Sequence, residues 1–241
     1  MKKFIVMLQF LTRIPINIHL EVDEDDFSNG IVYFPVVGLV IGMFLVSFHY
    51  IGYRLGGVFL ASVMAVVAEV FITGGLHLDG LGDTFDGIYS NRPKERILEI
   101  MKDSRLGTNA ALAVLSNILL KIALINSFSV PNVYGILLIM PVFSRLSIVY
   151  GARFSVYARK SGMGNLFIGK TNNKHLAVAV VTTLIIALMN IWSIPFILIG
   201  FLFSLWYVRH ISSKIDGMTG DTLGALCELS ELVYLLYFAI I

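Results

Sequence analysis

The sequence predicts an all-α polytopic integral membrane protein: one helical bundle of about seven transmembrane helices, N-terminus in the cytoplasm, forming a single domain over 1–241. Three observations carry that prediction. Of 241 residues, 57% are hydrophobic and only 14% charged, too apolar and too charge-poor for an ordinary soluble domain. Apolar runs recur at lengths near the roughly 20 residues that a helix needs to cross a bilayer. Lysine and arginine collect in alternate connections, as cytoplasmic loops require.

The opening M-K-K-F-I-V-M-L-Q-F-L-T-R-I-P has a basic start and an apolar stretch too short to span. With no small-residue cleavage site, it reads as a retained amphipathic segment at the membrane surface. Spans are predicted over 31–53, 56–76, 108–128, 134–152, 176–192, 195–208 and 223–240. The fifth and sixth are short and separated only by Ser193 and Ile194, as in a tight hairpin. G-x-x-x-G spacings at Gly38/Gly42 and Gly52/Gly56 permit close helix contact.

With the N-terminus inside, fifteen of the 18 Lys and Arg fall on the inner side and Arg54 alone outside; Lys121 and Arg145 lie within spans. The inner side then carries three long loops, 77–107, 153–175 and 209–222, and the outer connections are minimal. Polar chemistry confined to one face suits an enzyme at the cytoplasmic membrane better than a carrier with symmetric access. A net charge of +2 with no dense basic run speaks against nucleic acid, and a lone Cys227 excludes internal disulfides and cysteine-built metal sites.

Directly behind the second span runs G-G-L-H-L-D-G-L-G-D-T-F-D-G, from Gly74 to Gly87. If the helix continues, Asp79, Asp83 and Asp86 stand at i, i+4 and i+7, within about 60° on one face. Like charges so placed repel unless a cation sits among them, and oxygen ligands shared with substrate phosphates suit Mg²⁺. The glycines allow backbone, ion and phosphate to approach closely. The alternative is a set of solvated loop acids. His77 has no second histidine or cysteine at ligand spacing for zinc and reads as a polar neighbour of the site.

Around this block stand further candidates for phosphate and metal. M-K-D-S-R-L-G-T places Asp103 and Arg105 before the third span, as phosphate clamp and acid or as helix cap and interface marker. G-M-G-N-L-F-I-G-K offers a glycine-rich phosphate cradle with Asn165 and Lys170. M-T-G-D-T-L-G sets Asp221 at the entry of the last span, as N-cap or as a further acidic ligand. Glu69, Lys121, Arg145, Glu228 and Glu231 lie inside spans, where ionisable groups face a partner or a cavity. Lys121 and Arg145 can compensate Glu69 or meet an anionic substrate, whereas the excess of acids motivates an ion-coupled carrier as an alternative.

In order along the chain, F-L-T-R-I-P, H-L-D-G-L-G-D-T-F-D-G, M-K-D-S-R-L-G-T, G-N-L-F-I-G-K and T-G-D-T-L-G-A resemble the cobalamin synthase family, the adenosylcobinamide-GDP ribazoletransferases, and the resemblance covers nearly the whole chain. It implies a Mg²⁺-dependent membrane transferase. Adenosylcobinamide-GDP and α-ribazole, or α-ribazole 5'-phosphate, would give adenosylcobalamin or its phosphate plus GMP. Asp79, Asp83 and Asp86 would be the catalytic acids, holding the metal with Asp103 or Asp221. His77, Asp103, Arg105, Arg145, Asn165, Lys170 and Arg13 would contact substrate. Association with other cobalamin-assembly enzymes is implied, and a homo-oligomer is left open. The acidic block also looks like the motif of CDP-alcohol phosphatidyltransferases, with different spacing, which keeps a lipid-substrate enzyme as a further alternative.

Overall fold

The computed structural model describes residues 1–130 and 132–241. Helix α1 (Lys2–Leu11) is amphipathic as expected and buries Val6, Met7, Leu8 and Leu11. It does not simply lie on a surface. An ion pair between the exposed Lys2 and the buried Asp26 ties it to α2 (Glu24–Gly30), which starts in a capping box between Asp23 and Asp26.

Helix α3 (Phe34–Thr73) covers 40 mostly apolar residues, but Gly56 and Gly57 leave helical geometry, with φ of +79° at Gly57. The chain doubles back there. A Cβ on Gly52 would come within 2.7 Å of the Ala61 backbone, a contact that residues nine apart on a straight helix, some 13 Å distant, cannot make. The first two predicted spans are therefore the two limbs of this hairpin, and their G-x-x-x-G residues serve packing. Gly38 and Gly42 lie against the Pro141 and Leu138 carbonyls of α7 (Asn132–Arg153), where any side chain would overlap them.

The helix does not continue past Leu76 as the periodicity allowed. Gly74 and Gly75, both at positive φ (63° and 70°), end α3, and α4 (Leu76–Ile88) starts as a separate helix. Both positions favour glycine, because L side chains meet the backbone in the left-handed region. The predicted loop 77–107 thus contains α4 and α5 (Lys94–Ile100). Helices α6 (Thr108–Ser127), α8 (Asn173–Ala187), α9 (Phe196–Ile215) and α10 (Gly220–Ile240) complete the bundle.

Among the described residues, six helical segments are long and apolar enough to cross a membrane, the first of them the 50-residue run Glu24–Thr73 that contains the α3 hairpin. The fifth and sixth predicted spans are longer than expected, reaching 21 and 20 residues as Asn173–Ser193 and Phe196–Ile215. The predicted loop 209–222 shrinks accordingly, because α9 keeps Arg209 and Lys214 in its last turns, where a cation meets the helix carbonyl end favourably. Helix α7 is the buried centre, with α10 and the α3 hairpin against it. Leu112, Leu119, Ile185, Leu198 and Trp206 stay exposed on the outer helices, a surface suited to lipid rather than water.

Candidate active site

Two glycines decide where the acids meet. Gly80 of α4 would place a Cβ 2.7 Å from the Asp221 carbonyl oxygen, and Gly224 of α10 would place one 3.3 Å from His77. The helices therefore touch through their backbones. Asp221, beside the capping residue Thr219 at the start of α10, comes to lie next to Asp79 and Asp83.

Beside this contact opens a cavity of about 270 Å³, lined on its polar side by His77, Asp79, Arg159 and Asp221, by Gly162, Gly164 and Gly220, and by several apolar residues. By sequence alone Arg159 is one more inner-face cation. It pairs with Asp221 at 2.8 Å and is largely buried, and it is the only Lys or Arg among the described residues lining the cavity. Its position follows from a short backbone pairing: the Ala158 amide donates to the Met218 carbonyl and the Met218 amide to the Val156 carbonyl, both at 2.9 Å. Gly217, at φ 153°, makes that approach possible. The signal available beforehand was an arginine three residues ahead of a Gly-x-Gly loop.

Asp83 lies one turn further along α4 and is half-buried. Burial first, then the charges of Asp221, Asp79 and Asp86, push its carboxyl up from 3.8 to about 7, against the opposing pull of Arg159. His77 is buried, and its Nδ1 lies 3.4 Å from Arg145 Nη2. Burial and that guanidinium hold its imidazole down at about 3, so it is neutral near pH 7 and accepts at Nδ1.

The remaining candidates divide from this site. Asp86 turns to the start of α6, accepting from the Gly107 amide at 2.7 Å and the Ala110 amide at 2.9 Å, which makes it a cap across helices. Asp103 is occupied locally by Arg105, whose Nη2 donates at 2.5 Å; that pairing holds its carboxyl at about 2, and both lie at the surface. Lys170 pairs with Glu24 at 2.7 Å, and Asn165 is exposed; neither lines the cavity. Arg13 lies over Gly74 at the end of α3, beside a separate apolar groove with Phe44 and Phe71.

Arg145 is fully buried, pairs with Glu231 at 2.5 Å and stands outside the cavity lining. Glu231 also takes Lys121, which binds Glu69 at 3.0 Å and Glu228 at 2.8 Å. The intramembrane acids offered for a carrier are thus all engaged by one lysine.

Among the described residues no three or more His, Cys, Asp or Glu side chains stand close enough together to hold a metal ion by themselves. Asp86 and Asp103 have other partners. What remains near the cavity is Asp79, Asp83 and Asp221, hard oxygen donors; burial first and then the charges of the other two raise the carboxyl of Asp83. That set fits a hard divalent cation completed by substrate oxygens, the manner in which Mg²⁺ is commonly held.

A family model described as cobalamin-5-phosphate synthase matches residues 3–239. The chain is 50% identical to an adenosylcobinamide-GDP ribazoletransferase of Alkaliphilus metalliredigens, covering 100% of this chain and 96% of the relative. It is 47% identical to one of Clostridioides difficile, over 98% and 96% of the two chains, and 44% identical to one of Clostridium novyi over the same shares. No solved structure matches.

Proposed function

The chain belongs to the cobalamin-5-phosphate synthase family, and on that premise we propose how it works: as a multi-pass membrane adenosylcobinamide-GDP ribazoletransferase, it completes the nucleotide loop of cobalamin at the junction of α4 and α10. The observation that supports this site is the backbone contact of Gly80 with Asp221, which sets two carboxylates and Arg159 around one cavity.

Arg159 binds the pyrophosphate of adenosylcobinamide-GDP, exchanging its bond to Asp221 for phosphate oxygens. Asp79 and Asp221 would hold Mg²⁺, with Asp83 adding its charge from the next turn; when bound, the ion neutralises charge on the pyrophosphate and the departing GMP. A ribose hydroxyl of α-ribazole forms a bond to the phosphorus that bears the cobinamide, and the bond from that phosphorus to the bridging oxygen breaks. GMP leaves with that oxygen. Asp83, with a carboxyl near neutrality, takes the hydroxyl proton. Neutral His77, bonded to the buried Arg145, fixes the start of α4. The excess of Lys and Arg on the connections beside α4 supports placing the site on the cytoplasmic face.

The test is reconstitution in liposomes with Mg²⁺, adenosylcobinamide-GDP and α-ribazole, following GMP and cobalamin. Formation of neither product removes the proposal.

A further inference from the structure

The cavity has a second wall that phosphoryl transfer does not use. Phe10 from α1, Phe34 from α3 and Phe167 from the segment between α7 and α8 form one aromatic cluster: ring centroids are 5.6 Å apart for Phe10 and Phe167 and 5.3 Å for Phe34 and Phe167. All three line the cavity, together with Leu11 and Ile148. None of these side chains carries a hydrogen-bonding group. The charged lining residues come from other segments, Asp79 from α4, Arg159 from the loop after α7 and Asp221 from α10.

At about 270 Å³ the space suits one small heterocycle and is far too small for a corrin macrocycle. On the ribazoletransferase reading, two bases compete for it: the guanine of the donor and the dimethylbenzimidazole of the acceptor. Guanine has donors and acceptors along its edge, and seating it against phenyl and alkyl groups strips their water without returning a partner. Dimethylbenzimidazole presents a fused arene with two methyl groups. Such a ring gains from apolar burial and from tilted or edge-on contact with phenyl rings.

We infer that the wall built by Phe34, Phe167 and Ile148 is the acceptor-base subsite, selecting the apolar dimethylbenzimidazole of α-ribazole; this rests on the ribazoletransferase reading. The nucleoside then extends from the aromatic wall toward the carboxylates lining the same cavity, as an attacking hydroxyl requires. Guanine binds elsewhere.

Steady-state kinetics in liposomes test this with α-ribazole, the α-riboside of unmethylated benzimidazole and the α-riboside of guanine. In the wild type, loss of the methyl groups is expected to raise the acceptor KM by about tenfold or more, and the guanine riboside is expected not to serve. Ile148→Ala is expected to raise the KM for α-ribazole by about tenfold and to leave that for adenosylcobinamide-GDP unchanged. A rise in the donor KM alone, or equal use of all three ribosides, overturns the subsite. Where size-exclusion profiles show Ile148→Ala to be misfolded, Ile148→Val must give the same split at smaller amplitude, and the riboside series decides without any variant. A wild type that turns over no acceptor sinks the ribazoletransferase reading itself. One that turns over without discriminating sinks only the subsite.

Discussion

Gly80 and Asp221 meet at backbone distance, the would-be Cβ of one 2.7 Å from the carbonyl oxygen of the other. This contact joins the acidic helix to the last helix, so widening it separates Asp79 from Asp221. Gly80→Val is expected to destabilise the protein by about 1–3 kcal/mol and to abolish turnover. Gly82→Ala, whose Cβ would meet the Ala110 side chain at 3.3 Å and Val114 at 3.7 Å, is expected to remain active. Thermal melts in detergent and the liposome assay check the pair.

Asp79→Asn is expected to lower turnover at least about 100-fold, the scale for losing one preorganised charge partner, and to leave membrane insertion intact. Asp103→Asn should retain most activity, because its carboxylate is engaged by the exposed Arg105. Equal losses in both variants would contradict the division of acids made by the structure.

The pH dependence has a defined sign. Asp83 binds its proton more tightly folded, at about 7, than at its ordinary 3.8, so in cation-free protein its ionisation subtracts stability as pH rises between those values. The negative charge gained over the same range strengthens cation binding. Mg²⁺ affinity is expected to rise from pH 6 to pH 8, by calorimetry on solubilised protein, and Asp83→Asn to flatten that rise.

The buried ion cluster sets three carboxylates against two cations, Lys121 and Arg145. Lys121→Met removes the shared partner of Glu69, Glu228 and Glu231 and is expected to cost about 3–5 kcal/mol, as for a buried pair left with one member. Glu69→Gln removes the excess negative charge and keeps the shape, so it is expected to be tolerated. Melting temperatures of the two variants give the comparison.

Orientation is accessible by labelling, since Cys227 is fully buried and silent to a membrane-impermeant maleimide. With the active-site face in the cytoplasm, Ser161→Cys is expected to label in inverted vesicles only, and Arg54→Cys in right-side-out vesicles only.

Much of this was legible in the residues. Hydropathy marked the membrane helices, and the spans predicted over 31–53 and 56–76 are the two limbs of the α3 hairpin, which turns at Gly56 and Gly57. The i, i+4, i+7 spacing of Asp79, Asp83 and Asp86 holds within α4, even though the helix is new rather than a continuation of α3. Asp221 was found through its motif. Arg159 was missed, and of the two readings open for Arg145 the structure shows the ion pair, with Glu231, because an arginine carries no local mark of the partner it meets after folding.

Composition, hydropathy and helical period are local properties, and they suffice for an all-α membrane bundle, an acidic helix and a glycine-rich neighbourhood. The tertiary structure alone decided which acids face a common cavity, which cap or pair elsewhere, and which cation stands opposite them. Those outcomes depend on helix surfaces far apart in the chain meeting at Gly80 and Gly224, where the absence of a side chain lets two backbones touch.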